Sequence, residues 1–536
     1  MTRRRSENPI DGPRASGFVT GKDGEAGDMS VYRRWSRTPT SRKTSRSKPD
    51  RILRQTPGAR TCLIVCFGLF SIAAQTLLFR EAMTAFEGHD IGVGCFFGAW
   101  FLWIAVGALI VFRFHGLVTR LTRITELLFV GYVPAFCLQY GLIVFFRELA
   151  GIEPYAFLSL QHILGGCLLV TTPVSLLTGV LFPVLCRWVK TESALPVGRV
   201  YVLEAVGSLL GGLGVTVLYY YGLSTACIFL VLATLTCAVA VWASWLQGPG
   251  KSDLGKRALT SMGLLLCVAA WILRADLSVT RMVQARKWQQ LLPTGAMQDA
   301  FLTPQAEYLY GSYQDQWIVM REGSVCETLG DQTEAGRLAA MTLCQNVAAE
   351  RILVLGDGLE LCRRFLKSTH VSAVDWFHPD PHYIAAMTAR VPETLRPKDE
   401  RLHCHAGDVR AWLAGHAETY DIVMINLPET TNAVFMRFMT REFFAQVKQS
   451  LGYGGLVALG FPGGENVQGE ELVYLGACTR ATLGTQFSQT LLVPGERSFF
   501  LCSSLPYLDD SPVVLQRRFR TLKNALAIYP PEALST

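Results

Sequence analysis

The chain has 536 residues, half of them hydrophobic and only 17% charged, with a formal net charge of +7 and a mean hydropathy of +0.27. Soluble domains carry about 25% charged residues, so this composition excludes one ordinary soluble protein and points to membrane-embedded segments. The positive balance does not mark a nucleic-acid binder, because residues 1–60 hold 15 Lys/Arg against 6 Asp/Glu while the rest of the chain holds 35 against 37.

In chain order, residues 1–60 are rich in Arg, Ser, Thr, Gly and Pro. They cannot bury a core and are expected to be a disordered basic tail, set against anionic lipid just before the membrane. Seven apolar runs follow, near 61–79, 92–112, 126–146, 159–186, 200–221, 225–245 and 258–274. Each is about long enough for a ~30 Å hydrocarbon layer. The fourth is overlong and contains Pro173 and Pro183, so it reads as one kinked helix or a broken one.

Lys and Arg alternate between the connections. The segments 113–124, 187–199 and 247–257 hold three each; the intervening ones hold Arg80, Arg147 and none. The positive-inside rule then predicts an inner-membrane protein with a cytoplasmic N-terminus. The seventh run is short and is followed by Arg274, Arg281, Arg286 and Lys287. If it crosses, everything after it lies outside; if it lies on the surface, the C-terminal part stays cytoplasmic. The organisation expected is a transmembrane helical domain over 61–275, a linker over 276–300 and an α/β domain over 301–536.

That last domain alternates strands and helices. Trp317–Met320 reads as a strand with a turn at Arg321-Glu322-Gly323. Ile352–Leu355 runs into Gly356-Asp357-Gly358, and Val371–Val374 is a strand closed by Asp375. Arg401–His405 ends at Gly407-Asp408, and Asp421–Ile425 and Gly454–Leu459 complete the set. Such alternation implies a parallel sheet with crossover helices. The fold class is thus an α-helical membrane domain of about seven spans plus a C-terminal α/β Rossmann-like domain.

Several residues could carry chemistry. Gly356 and Gly358, between a strand and a helix, let backbone N–H groups approach a nucleotide-type ligand. Asp375 at a strand end suits ribose hydroxyls, and Asp408 suits an adenine amine. The third Gly of the dinucleotide fingerprint is missing. Glu204 lies at membrane depth beside Gly207, Ser208, Gly211 and Gly212. A carboxyl there is a ligand or proton site, or a polar group in close helix packing. His403-Cys404-His405 reads as ordinary strand. The 15 cysteines include no CxxC pair, so no zinc or redox framework is expected and no metal is assigned.

Gly311-Ser312-Tyr313-Gln314, then ILVLGDG, HAGDVRAWL, YDIVMINLPETTN and FMTREFFAQVKQSLGYGGLVAL occur in that order. Together they resemble the spermidine synthase (polyamine aminopropyltransferase) family. PGERSFFLCS, GVLFPVLCRWV, VGRVYVLEAVGSLLGGLGV and AQTLLFREAMTAFEGHDIGVGCFFGAWFL are similar to its membrane-fused members. The resemblance covers about 61–536. It implies a methyltransferase/spermidine synthase-type fold and a polyamine ligand. It also implies decarboxylated S-adenosylmethionine as co-substrate, an adenosyl-sulfonium compound, with no tightly bound cofactor.

Residue by residue, Gln314 matches the Gln near the thioether tail, Asp375 the ribose acid and Asp408 the adenine acid. Tyr313 and Glu334 fall on the amine side. Arg80 and Glu81 resemble a charged pair of some fused members. The departures bear on the activity. Asn426 stands where the family has its catalytic Asp, and Asn cannot act as a carboxylate base. Glu429 keeps the second acidic position in kind. Leu338-Ala339 replaces the usual His-Glu pair, and Glu360 enters the Gly-rich turn. Two functions are therefore expected: binding of an adenosyl-sulfonium compound or polyamine, with aminopropyl transfer in doubt, or polyamine or small-amine transport or sensing with a non-catalytic C-terminal domain. The sequence fixes no oligomeric state.

Overall fold

A computed structural model of the chain describes residues 57–86, 90–153, 158–189, 196–246, 254–330, 333–417, 419–427, 436–463, 469–495 and 497–535. All but the last few residues of the basic tail, and Glu429, lie outside them.

Seven helical segments are long and apolar enough to cross a membrane. They are α1 (Pro57–Ala85), α2 (Asp90–Arg113), α4 with α5 (Thr125–Val130, Tyr132–Val144), α8 (Thr172–Val189), α9 (Pro196–Tyr220), α10 (Thr225–Leu246) and α11 (Leu254–Ile272), with short α3 (His115–Leu121), α6 (Phe146–Leu149) and α7 (Leu160–Val170) between them. The fourth expected run is broken: α7 stops at Val170 and α8 starts at Thr172. Pro173 is tolerated there because a helix's first turn has no use for its missing N–H. Pro183 stays inside α8.

The small residues around Glu204 face α1. A Cβ on Gly207 would lie 2.0 Å from the Val65 carbonyl oxygen, and one on Gly68 2.0 Å from that of Glu204. Glycine lets the two backbones touch. The Glu204 carboxylate accepts from Ser208 on its own helix at 3.0 Å. Around the bundle, large apolar side chains such as Leu209, Leu213 and Leu265 stay exposed.

The expected linker is ordered structure. It forms α12 (Ala275–Leu291) and enters β1 (Ala296–Leu302). Strand β1 opens an antiparallel meander with β2 (Glu307–Tyr313), β3 (Gln316–Arg321) and β4 (Ser324–Leu329). After α13 (Glu334–Leu343) come β5 (Arg351–Gly356), α14 (Leu359–Phe365), β6 (Ala373–His378), α15 (Tyr383–Arg390), β7 (Leu402–Ala406), α16 (Val409–Ala414) and β8 (Tyr420–Asn426). Then follow α17 (Arg441–Ser450), β9 (Leu451–Pro462), α18 (Glu470–Gly484), β10 (Gln489–Val493) and β11 (Arg497–Ser503). The second sheet runs β10-β11-β9-β8-β5-β6-β7. All neighbours are parallel except the β10-β11 and β11-β9 pairs. Both faces are buried against apolar side chains, as a parallel sheet requires.

The strand order reverses between β5 and β8, where Gly356 pairs with Asn426. In open α/β sheets the ligand crevice lies at such a switch point, beyond the carboxyl ends of the strands.

The α/β part meets the bundle through α12 and β2. Thr280 donates to Ser224, just before α10, at 3.0 Å, and Arg286 lies over the Phe145 ring, just after α5. Arg60, near the start of α1, donates instead to the carbonyl of Trp188, near the end of α8. The domain therefore docks at the end of the bundle where α1, α5 and α9 finish.

Candidate functional site

Two places gather polar groups: the switch-point corner and the junction between bundle and domain. The corner is built by the turn after β5. Gly356 has φ +93°, and a Cβ there would lie 2.4 Å from the Asn426 carbonyl oxygen, so only glycine fits. The Asp357 N–H donates to that carbonyl at 3.1 Å, and the Asn426 amide donates back to the Asp357 carbonyl. Asn426 is buried, and its Oδ1 has no partner among the described residues.

Two N–H groups at the start of α14, those of Gly358 and Leu359, are already taken. The Glu327 carboxyl, reaching in from β4, accepts from Gly358 and, at 2.9 Å, from Leu359. Burial, together with the Asp357 charge, pushes Glu327 up to about 8. Asp357 is itself paired, 3.1 Å from the Arg321 guanidinium and 3.2 Å from His378 Nε2. Burial opposes its charge, but Arg321 and His378 outweigh that and hold the carboxyl below the usual carboxylate range. Asp380, after β6, accepts from Thr303 at 2.6 Å and Tyr308 at 3.3 Å. The acids of this corner serve internal donors.

Asp375 does not close its strand. β6 runs on through the buried Trp376 and Phe377 to His378, so His378 holds the strand-end position. Asp375 sits mid-strand, 3.0 Å from His405 Nε2, 3.3 Å from His403 Nδ1 and 3.0 Å from the Tyr420 hydroxyl. The two histidines share a strand face, and no metal-holding cluster occurs among the described residues. Asp408 caps α16, accepting from Arg410 at 2.8 Å and Ala411 at 3.3 Å.

Gln314 is exposed in the β2–β3 turn with φ +48° and donates to the Tyr313 hydroxyl at 3.2 Å. Glu334 is exposed in the first turn of α13. Of the predicted nucleotide set, Gly356 and Gly358 share the corner with Asn426. Gln314, Asp375 and Asp408 are held by partners of their own.

At the junction, the Lys287 ammonium from α12 lies 3.0 Å from Glu81 of α1 and 2.9 Å from Glu307 of β2. Thr225 donates to Glu81 at 2.8 Å, Gln284 donates to Glu307 at 3.0 Å, and the Tyr219 and Thr225 hydroxyls meet at 3.0 Å. Burial disfavours the Lys287 charge, but the two carboxylates outweigh it and raise the amine above the ordinary lysine range. Burial likewise opposes the Glu307 charge, and Lys287 overcomes it and holds that carboxyl low. Arg80 does not pair with Glu81. Its guanidinium lies over the Tyr219 ring, 4.4 Å from the centroid. These groups line a cleft of about 640 Å³, its mouth included, with Tyr140 and Glu322.

Sequence reasoning missed Gln284, Lys287 and Glu307. The legible signal was Thr280, Gln284 and Lys287 at helical spacing, which puts three polar residues on one face of a stretch read as linker.

The strand order β7-β6-β5-β8-β9-β11-β10, with its antiparallel final hairpin, defines the class: the C-terminal α/β domain resembles the spermidine synthase and methyltransferase fold. No family model matches the chain. Polyamine aminopropyltransferase 2 of Bacillus anthracis is 31% identical over 105 residues, which is 18% of this chain and 29% of that protein, so the chain matches less than a third of that relative's length. Similar solved structures include spermidine synthase in complex with the transition-state analogue AdoDATO, at TM-score 0.33 and 14% identity over 39% of this chain and 73% of that one. A probable spermidine synthase from Corynebacterium glutamicum has TM-score 0.34 and 15% identity over 45% and 94%. Human methyltransferase-like protein 13 in complex with SAH has TM-score 0.28 and 17% identity over 38% and 90%.

Proposed function

We propose that this chain is an integral inner-membrane protein whose spermidine synthase-like domain has given up aminopropyl transfer. In this reading the domain serves a transport or sensing device for a small amine. One observation carries it: the Gly358 and Leu359 N–H groups, which open α14, are taken by the protein's own Glu327. The neighbouring acids are likewise bound to Arg321, His378, Thr303 and Tyr308. Decarboxylated S-adenosylmethionine would have to displace these contacts, and Asn426 offers no base, so the residues present do not fit an adenosyl co-substrate. The junction cleft suits an amine better, since beside the Lys287 bridge its lining includes the exposed Glu322 carboxylate.

Sidedness follows the same reading. The exposed apolar girdle suits lipid, and the Lys/Arg-rich connections lie at the end where α1 begins and the domain is absent, which argues for a cytoplasmic N-terminus and an external domain.

The test is calorimetry of the full chain in phosphatidylcholine nanodiscs with decarboxylated S-adenosylmethionine, methylthioadenosine and spermidine. Heat from spermidine alone is expected. Heat from either adenosyl compound would overturn the non-catalytic reading in favour of the second one, an adenosyl-binding transferase, which the 105-residue match to an aminopropyltransferase supports. Silence to spermidine would remove the amine.

A further inference from the structure

The junction cleft holds five charged groups: Arg80, Glu81, Lys287, Glu307 and Glu322. Three of them satisfy one another, since Lys287 bridges Glu81 and Glu307 at 3.0 and 2.9 Å. The other two do not. Among the described residues, Arg80 makes no ion pair and donates no hydrogen bond from its guanidinium; its face lies over the Tyr219 ring, and its charge acts on Glu307 only at longer range. Glu322, in the β3–β4 turn, has no recorded partner either. The cleft thus presents one unmatched cation from the membrane bundle and one unmatched anion from the α/β domain.

We propose that this cleft is a binding site for a zwitterion, a small molecule or headgroup carrying an oxyanion and an ammonium, with the oxyanion on Arg80 and the ammonium on Glu322. The proposal rests on the amine reading above and deepens it by naming the second charge.

Three physical arguments support it. A guanidinium stacked on an aromatic ring keeps its edge N–H groups free and in plane, the geometry that receives a carboxylate or phosphate. Charge balance argues against a simple anion: Glu81, Glu307 and Glu322 outnumber Arg80 and Lys287 by one. A bare diamine would in turn leave the Arg80 guanidinium unmatched in a part-buried cleft, which costs free energy. A zwitterion adds no net charge and meets both open groups.

The turn itself is unusual. Glu322 has φ +48° and Gly323 φ +86°, a turn shape whose first position favours Asn, Asp or Gly. A glutamate held there against that preference is what a ligand-facing carboxylate would explain. The paired residues have their own role: the Lys287 bridge spans α12, α1 and β2, so it fixes the two walls of the cleft relative to each other.

Free amino acids and phosphatidylethanolamine headgroups share this chemistry, and the experiment separates them. Full-length protein in phosphatidylcholine nanodiscs is titrated with 6-aminohexanoate, hexylamine, hexanoate and spermidine, and again in discs containing phosphatidylethanolamine. The expectation is that 6-aminohexanoate binds at least 10-fold more tightly than hexylamine or hexanoate, that Arg80→Gln removes the preference over hexylamine, and that Glu322→Gln removes the preference over hexanoate. Glu322 is exposed, so its variant retains a folded protein to measure even if the Arg80 variant does not fold. Weaker binding of 6-aminohexanoate in phosphatidylethanolamine discs identifies the headgroup as occupant, and unchanged binding identifies the free zwitterion. Equal binding of hexylamine and 6-aminohexanoate, or a preference over hexanoate that survives in Glu322→Gln, overturns the proposal while leaving the amine reading intact where spermidine still binds. Silence to every compound overturns both.

Discussion

Replacing Lys287 with Met removes the one cation held between Glu81 and Glu307. The three side chains are 17%, 8% and 20% exposed, so solvent screens the loss only in part. Breaking a buried ion pair from one side costs about 3–5 kcal/mol, because the partner keeps its charge without compensation. The residual exposure puts the expected loss near the lower end, about 3 kcal/mol. Replacing a whole buried ionic set is often neutral, so Glu81→Gln/Lys287→Met/Glu307→Gln should recover most of the stability. The assay is denaturant titration of each variant in the same detergent, read by tryptophan fluorescence.

The pH dependence has a definite sign. Glu307 has a lowered folded pKa, so its contribution is present above about pH 4.3 and lost as pH falls through the folded value. Lys287 has a raised one, so its contribution is present below about pH 10.4 and lost as pH rises beyond that. The wild type should show a plateau between those limits that Lys287→Met lacks. A single variant within about 0.5 kcal/mol of wild type, or a triple variant worse than the single, would refute the bridge as a stabilising device.

Asn426→Asp should not restore transfer in an assay with decarboxylated S-adenosylmethionine and putrescine. It should cost about 1–3 kcal/mol, because a carboxylate would face the Asp357 carbonyl where the amide now donates; robust turnover would show the corner to be open. Glu327→Gln keeps an acceptor for Gly358 and Leu359 without the charge. Since the folded Glu327 pKa is raised to about 8, the wild type loses stability as pH climbs from about 4.3 to that value. The variant's advantage should therefore grow across that window, and a flat difference from pH 5 to 9 would contradict it. Cys478 is exposed on α18. In intact cells a membrane-impermeant maleimide should label it, and labelling only after permeabilisation would put the domain in the cytoplasm.

The large divisions of the chain were legible because they rest on strong physical signals. A run of about 20 apolar residues has few alternatives to a spanning helix, and all seven expected runs correspond to helices of crossing length. The break in the fourth was legible as a proline near the middle of an overlong run. Alternating strand and helix patterns gave the parallel sheet. Strand ends were not legible, and Asp375 shows why. An acidic residue after Val371–Val374 looks like an exit from the core, yet the strand continues because His403 and His405 of β7 and Tyr420 of β8 supply its partners. A buried carboxylate with three partners is tolerable, but those partners lie far away in sequence and nothing local announces them.

The switch-point corner likewise reads one way as a motif and another as a structure. Gly356-Asp357-Gly358 has the residue types of a ligand turn, and motif reading credits its free N–H groups to a nucleotide. Whether those groups are free is decided by Glu327, which approaches from a meander strand with no motif of its own. The Arg80-Glu81 dipeptide runs in parallel. Adjacent helix residues point about 100° apart and do not face each other, so a charged neighbour in sequence is a poor partner. Glu81 takes its cation from α12 across the junction, and Arg80 is turned onto Tyr219 instead. In both places the decisive atom comes from the meander and helix that the sequence left as linker or preamble. That segment, from Ala275 to Leu329, closes the nucleotide corner on one side through Glu327 and Arg321 and builds the junction cleft on the other through Lys287, Glu307 and Glu322. One continuous segment thus supplies internal partners at the switch-point corner and walls of the junction cleft.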